Sequence, residues 1–245
     1  SMSADARLAR QCLALFDEAR LPCGLVPMNW PCRLDQRSST WTLSWIAAVG
    51  DLAMYDGTDA LPWLGNRAAG IAHTLLSYAR LEDADGLLVD PPGWNFLDWT
   101  APWKGDNYTP PNGIAGRGPD ACLNLLYLQA VESAVTVFGA VGEPLLAERW
   151  RTRGERLAAA IRRTFWDEGR GMVADTPERT SFSEHAVALS ITTSCLSVPQ
   201  RDRSFAALTS ASDLSRASYM LHMVFAACFR YGRGDLFLKK LDQWR

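Results

Sequence analysis

The chain has 245 residues and a formal net charge of −2, with 25 Lys and Arg set against 27 Asp and Glu. That length is enough for one large domain with a sizeable core, and no linker, charge block or low-complexity run divides residues 1–245. The evenly scattered charge excludes the basic footprint of a nucleic-acid binder and the polybasic patch of a membrane-surface protein.

No signal peptide is visible, and the apolar runs are broken by polar residues before they reach spanning length. Ser1-Met2 reads as the remnant of a protease cut ahead of a start codon, which leaves the natural N-terminus open. The six cysteines (Cys12, Cys23, Cys32, Cys122, Cys195, Cys228) form no C-x-x-C pair and no metal-ligand spacing. Most lie in apolar helical patterns, where a free thiol is a small hydrophobe. Cys23 and Cys32 share one Pro-rich loop and could bridge, but reduced thiols and a cytoplasmic protein are the expectation.

The chain reads as helices nearly throughout. Residues 5–20 place Leu8, Cys12, Leu15 and Phe16 on one stripe, an amphipathic helix. A loop with Pro22, Pro27 and Pro31 follows. Residues 40–56 are apolar on almost every side (Trp41, Leu43, Trp45, Ile46, Val49, Leu52), as a helix buried all round must be. A striped helix returns at 61–80. Next comes Trp94-Asn95-Phe96-Leu97-Asp98-Trp99, continuing to Pro110 with Trp103, Asp106 and Tyr108. This stretch is too rich in Pro and Gly for regular structure and too aromatic for disorder. Aromatic faces with carboxylates and amides between them suit a sugar, whose C–H face stacks while its hydroxyls need partners. Plugging the loop onto the core is the alternative role for any one of these rings.

The alternation then continues: 120–141 apolar all round, 145–165 striped, 184–195 mostly apolar, 199–208 mixed, 218–229 apolar, and 236–244 amphipathic. Buried helices taking turns with half-buried ones are what an all-α, α/α barrel or toroid requires. A helical-repeat solenoid competes, but no fixed period is present. Inner-to-outer connections are short and outer-to-inner ones long (21–39, 81–119, 166–183), so the long loops are expected at one rim, over the N-termini of the inner helices. Function concentrates on such loops. No cofactor is expected: no helix carries metal-ligand spacing, and Gly113, Gly116 and Gly118 follow no strand that would make them a phosphate loop.

Several of these segments resemble bacterial α-L-rhamnosidases, the six-hairpin glycosidases. They are Asp85-Gly86-Leu87-Leu88 followed by Trp94 to Trp99, the inner helix around Leu43-Ser44-Trp45-Ile46, Phe165 to Met172, Phe182-Ser183-Glu184-His185-Ala186, and Ser218-Tyr219-Met220. The resemblance runs in order from about Asp5 to the last residue. It implies an (α/α)6 barrel and release of terminal α-linked L-rhamnose with inversion, which needs one carboxylic acid and one carboxylate as base. The family's acid and base motifs, upstream of the region matching Asp5 and just beyond Trp244, are absent. The expectation is therefore an incomplete barrel, inactive alone and open to self-association or to pairing with missing segments, with catalytic residues unassigned.

The resemblance carries Asp98, Trp99, Trp94, Trp45 and His185 over as substrate-binding residues. For Asp98 the alternative is a loop-capping carboxylate, for Trp45 a core side chain, and for His185 a helix-start residue satisfied by backbone. Glu184 replaces the family's usual Gln. With Ser181 it reads as a Ser-x-x-Glu capping box, and Asp35 reads as the partner of its neighbouring arginines. A non-catalytic sugar-binding module or a helical protein-binding scaffold remain alternative functions.

Overall fold

A computed structural model describes residues 5–241. The expectations for Ser1-Met2 and for the end of the last helix beyond Leu241 lie outside them. Nine α-helices are described: α1 Arg7–Glu18, α2 Ser39–Asp56, α3 Leu61–Tyr78, α4 Ala121–Ala140, α5 Pro144–Phe165, α6 Glu184–Thr192, α7 Val198–Ser210, α8 Leu221–Arg230 and α9 Gly234–Leu241. A two-residue hairpin, β1 Trp166–Asp167 with β2 Met172–Val173, sits in a connection expected to be plain loop. Short connections (57–60, 141–143, 193–197, 231–233) alternate with long ones (19–38, 79–120, 166–183, 211–220). The chain divides into two compact units, Ser1–Asn95 with Leu126–Leu157, and Phe96–Leu125 with Ala158–Arg245.

In the first unit α2 is buried around most of its circumference (Leu43, Trp45, Ile46, Val49, Leu52). A Cβ on Gly50 would stand 2.7 Å from the Ser133 Cβ, so only glycine lets α2 approach α4 this closely. α3 buries one stripe (Leu64, Ile71, Leu75, Tyr78), and α1 buries no residue fully. The two long connections of this unit meet. Ser38 bridges Gly93, and the Trp94 N–H donates to the Arg37 carbonyl at 3.0 Å. Gly93 is required there: its φ is +87°, and a Cβ would lie 2.6 Å from the Arg37 carbonyl oxygen. As expected, Asp35 pairs with Arg37.

In the second unit every residue of α6 from Glu184 to Ile191 is buried, and α6 packs on α7 and α8. α6 stops at Thr192 instead of Cys195. The Thr193 hydroxyl bonds the Leu189 carbonyl at 2.8 Å, and its backbone turns extended, the competition with helix that such hydroxyls offer. α8, apolar by composition, buries only one side (Leu221, Val224, Ala227, Cys228) and leaves Phe229 exposed. It begins three residues later than expected, because residues 218–220 form a turn with another use, described below.

Contrary to the expectation that no apolar run reaches spanning length, α4 is long and apolar enough to cross a membrane, yet 72% of its apolar window is buried inside the fold. Core helices pass the same test. All six cysteines are free, Cys23 and Cys32 included.

Candidate functional site

The aromatic loop of the second unit is organised by Asp98, a fully buried carboxylate. Oδ1 accepts from the Trp99 N–H (2.7 Å), the Ser218 hydroxyl (2.7 Å) and the Tyr219 N–H (2.8 Å). Oδ2 accepts from the Ser218 N–H (2.8 Å), His185 Nε2 (2.7 Å) and the Met220 N–H (3.2 Å). A carboxylate offers about four lone-pair sites, so its capacity is fully taken. Three consecutive N–H groups just ahead of α8 thus form a nest for an anion supplied by this chain's own loop. Burial works to raise the Asp98 pKa, but hydrogen bonds from His185 and Ser218 outweigh it and hold the carboxyl well below its usual range.

Since Asp98 is ionised, His185 Nε2 carries the proton and donates. His185, the second residue of α6, is completely buried, and its ring lies 4.8 Å from that of Trp103. His185 Nδ1 and Trp103 Nε1 are buried and make no hydrogen bond among the described residues. Trp99 contrasts with both. It is 55% exposed, held edge-on by Tyr108 (4.6 Å between centroids) and tilted on Phe96 (4.8 Å). An exposed ring braced from behind is a stacking platform.

The structure therefore brings Asp98, Trp99 and His185 together. Trp94 and Trp45 belong to the first unit. Trp94 is half-buried beside Arg37. Trp45 takes the core role of its two expected ones: it is 4% exposed, its Nε1 donates to the Leu13 carbonyl at 3.0 Å, and the Arg20 guanidinium covers the ring at 4.5 Å. Its N–H is used and one face of the ring is covered. His185 is a helix-start residue as anticipated, but a carboxylate satisfies it rather than backbone.

The capping box expected at Ser181 and Glu184 is out of register. Ser183 is the cap, accepting from the Ala186 N–H at 3.2 Å. Glu184 opens the helix and instead accepts from the Ala217 N–H (3.0 Å) and pairs with Lys240. The residues that sequence reasoning left out of the site are Ser218, Tyr219 and Met220, which contribute chiefly through backbone. Their match to the family motif was the one available signal.

Behind the loop lies a buried acidic pair. Asp120 caps α4, accepting from the Leu123 N–H at 3.0 Å, and Asp175 accepts from the hydroxyls of Ser183 (2.6 Å) and Ser181 (2.7 Å). Burial, then repulsion from Asp175, pushes the Asp120 pKa up to about 7, and burial raises Asp175 as well. A carboxyl raised from 3.8 to about 7 holds its proton in the folded state across that window. Its stabilising contribution is thus complete below about pH 4 and lost as pH rises towards 7. Asp120→Asn keeps an acceptor for the cap without the charge. Its melting temperature should gain on wild type by several degrees between pH 5 and pH 8; a gap that stays flat with pH would refute the charge repulsion.

Two solved structures share this fold. The GH78 family rhamnosidase of Bacillus sp. GL1 aligns with a TM-score of 0.82 at 20% identity, over 98% of this chain and 24% of its own. A rhamnosidase from Klebsiella oxytoca with rhamnose bound aligns with a TM-score of 0.79 at 19% identity, over 97% of this chain and 45% of its own. The chain thus spans about a quarter of the first and under half of the second, and at such identity the likeness shows an all-α fold alone. The family model for the bacterial alpha-L-rhamnosidase six-hairpin glycosidase domain matches residues 2–223, and the chain belongs to that family. No curated protein matches the sequence.

Proposed function

We propose that this chain is the carbohydrate-holding part of a glycoside hydrolase that acts on terminal α-L-rhamnosides with inversion. Trp99 supplies the face on which the sugar stacks, and Asp98 and His185 act as positioning residues. The observation that carries the reading is the exposed Trp99 ring, fixed at its backbone by a buried carboxylate with six donors. The bound rhamnose of the Klebsiella oxytoca rhamnosidase, which shares the fold, supports the ligand class.

Turnover by this chain alone is expected to be negligible. An inverting glycosidase needs two carboxyl groups about 6.5–9.5 Å apart, each free to act. Of the second unit's carboxyl groups that are buried or lie in the aromatic loop, Asp98 is saturated, Glu184 is held by Ala217 and Lys240, Asp106 is paired with Arg117, and Asp120 and Asp175 are buried. An aryl α-L-rhamnoside should therefore bind, detected by saturation-transfer NMR, without release of the phenol. Robust hydrolysis would overturn the inactivity, and absence of binding would remove the rhamnoside assignment.

A further inference from the structure

The two buried carboxylates behind the aromatic loop, Asp120 and Asp175, each hold a different piece of the second unit. The Ala121 N–H donates to the Asp175 carbonyl at 2.9 Å, so the two residues meet across one backbone hydrogen bond. Asp120 Oδ2 accepts from the Asn112 N–H at 3.4 Å, and Asn112 Nδ2 donates to the Pro119 carbonyl at 3.2 Å, which folds segment 107–119 back on itself. Four residues before Asn112 stands Tyr108, the ring that braces Trp99, and its carbonyl accepts from the Leu97 N–H at 3.1 Å. Asp175 Oδ1 holds the Ser183 hydroxyl, which caps α6 just ahead of His185.

The groups that face this pair do not neutralise it. On α4 the buried Cys122 thiol is pushed well up by burial and by both carboxylates, and stays neutral. The connection into α6 offers the hydroxyls of Ser181 and Ser183. From α6 the His185 imidazole favours ionisation of Asp175, while Glu184 turns instead to Ala217 and Lys240. On the loop itself Arg117 is taken by Asp106. Two negative charges here would stand in a dry site, and one retained proton removes the second. Burial and repulsion from Asp175 place the release of that proton from Asp120 at about pH 7.

We infer that Asp120 and Asp175 form a pH-operated brace for the Trp99 loop: while one proton is held between them segment 107–119 is fastened, and its loss releases the segment. The yielding contact is the long one from Asn112, since opening there lets water reach Asp120 while the carboxylate keeps its cap on α4. The sign follows from the raised group: the fastening is complete in acid and fades as pH rises through 7. The brace stands apart from the rhamnoside reading, because it is read on the loop itself with no ligand added.

Amide hydrogen exchange of the full chain, measured at about pH 5.5, 7 and 8.5, tests it. The exchange rate of segment 107–119 is taken as the ratio of wild type to Asp120→Asn, which cancels the intrinsic pH dependence of exchange. That ratio should rise about five- to tenfold from the lowest to the highest pH, and the ratio for α3 in the first unit should stay level. In Asp175→Asn burial still acts on Asp120 but the repulsion is gone, so the rise should be less than half as large. If Asp120→Asn fails to fold by circular dichroism, wild type is compared with Asp175→Asn, and its segment should still exchange increasingly faster as pH rises. A ratio flat with pH, a rise shared equally by α3, or a rise undiminished in Asp175→Asn would each overturn the proposal.

Discussion

Asp98→Ala should lower the melting temperature by about 10 °C. Each buried donor left without its acceptor costs about 1–3 kcal/mol, several are stranded at once, and a chain of this length loses about 2–4 °C per kcal/mol. The cost arises because six donors from three separate segments, among them the buried His185 Nε2 and the N–H groups of residues 218–220, lose the acceptor they share. Asp98→Asn should fall between, since its amide oxygen serves some donors while its NH2 meets others head-on.

The pH dependence separates this account from simple loss of packing. Asp98 is held below its usual range, so its contribution is present above about pH 4 and lost as pH falls through the acid region. The gap between wild type and Asp98→Ala should stay constant from pH 5 to 8 and close below about pH 4. A gap that persists undiminished into acid would mean the carboxylate charge is not the source.

The second large effect is expected in the first unit, at Glu82→Ala. Glu82 receives both Arg153 Nε and its terminal nitrogen at 2.6 Å and the hydroxyl of the fully buried Tyr127 at 2.9 Å. Arg153 also donates to the Ala79 carbonyl at 3.0 Å, so this group ties α3's end to α5 within the unit. Truncation strands a guanidinium and a phenol. Because the Arg153 side chain keeps 31% exposure and can recover some hydration, the low end of the buried-pair range applies, ~3 kcal/mol by urea denaturation. The double change Glu82→Leu/Arg153→Met should recover most of it, since an apolar pair needs no desolvation to be offset. If the double variant is as unstable as Glu82→Ala, the pair matters through geometry and not through the stranded charge.

How far the residues foretold this arrangement depends on which signal a feature leaves in them. The alternation of helices was legible because burial on all sides and burial on one stripe write different periodicities, as α2 and α3 show. Apolar content alone misled at α8, where composition does not say which face a neighbour covers, and Phe229 stays in water. Trp45 looked equally suited to pocket or core, and only the Leu13 carbonyl at its N–H decides.

The Asp98 nest was the least legible. Its donors lie up to 122 residues away and are mostly backbone N–H groups, which every residue type carries. Ser183 took the cap from Ser181 because the chain enters α6 two residues later than a Ser-x-x-Glu pattern suggests. Only the match of residues 218–220 to a family motif pointed towards that turn.

The central claim is that Trp99 is the sugar-bearing face of this fold, and it is tested most directly by following tryptophan fluorescence during titration with L-rhamnose. Wild type should give a saturable change, and Trp99→Ala, at an exposed ring whose loss leaves Asp98 and its donors in place, should give none. A flat titration in wild type, or one that survives intact in Trp99→Ala, would contradict it.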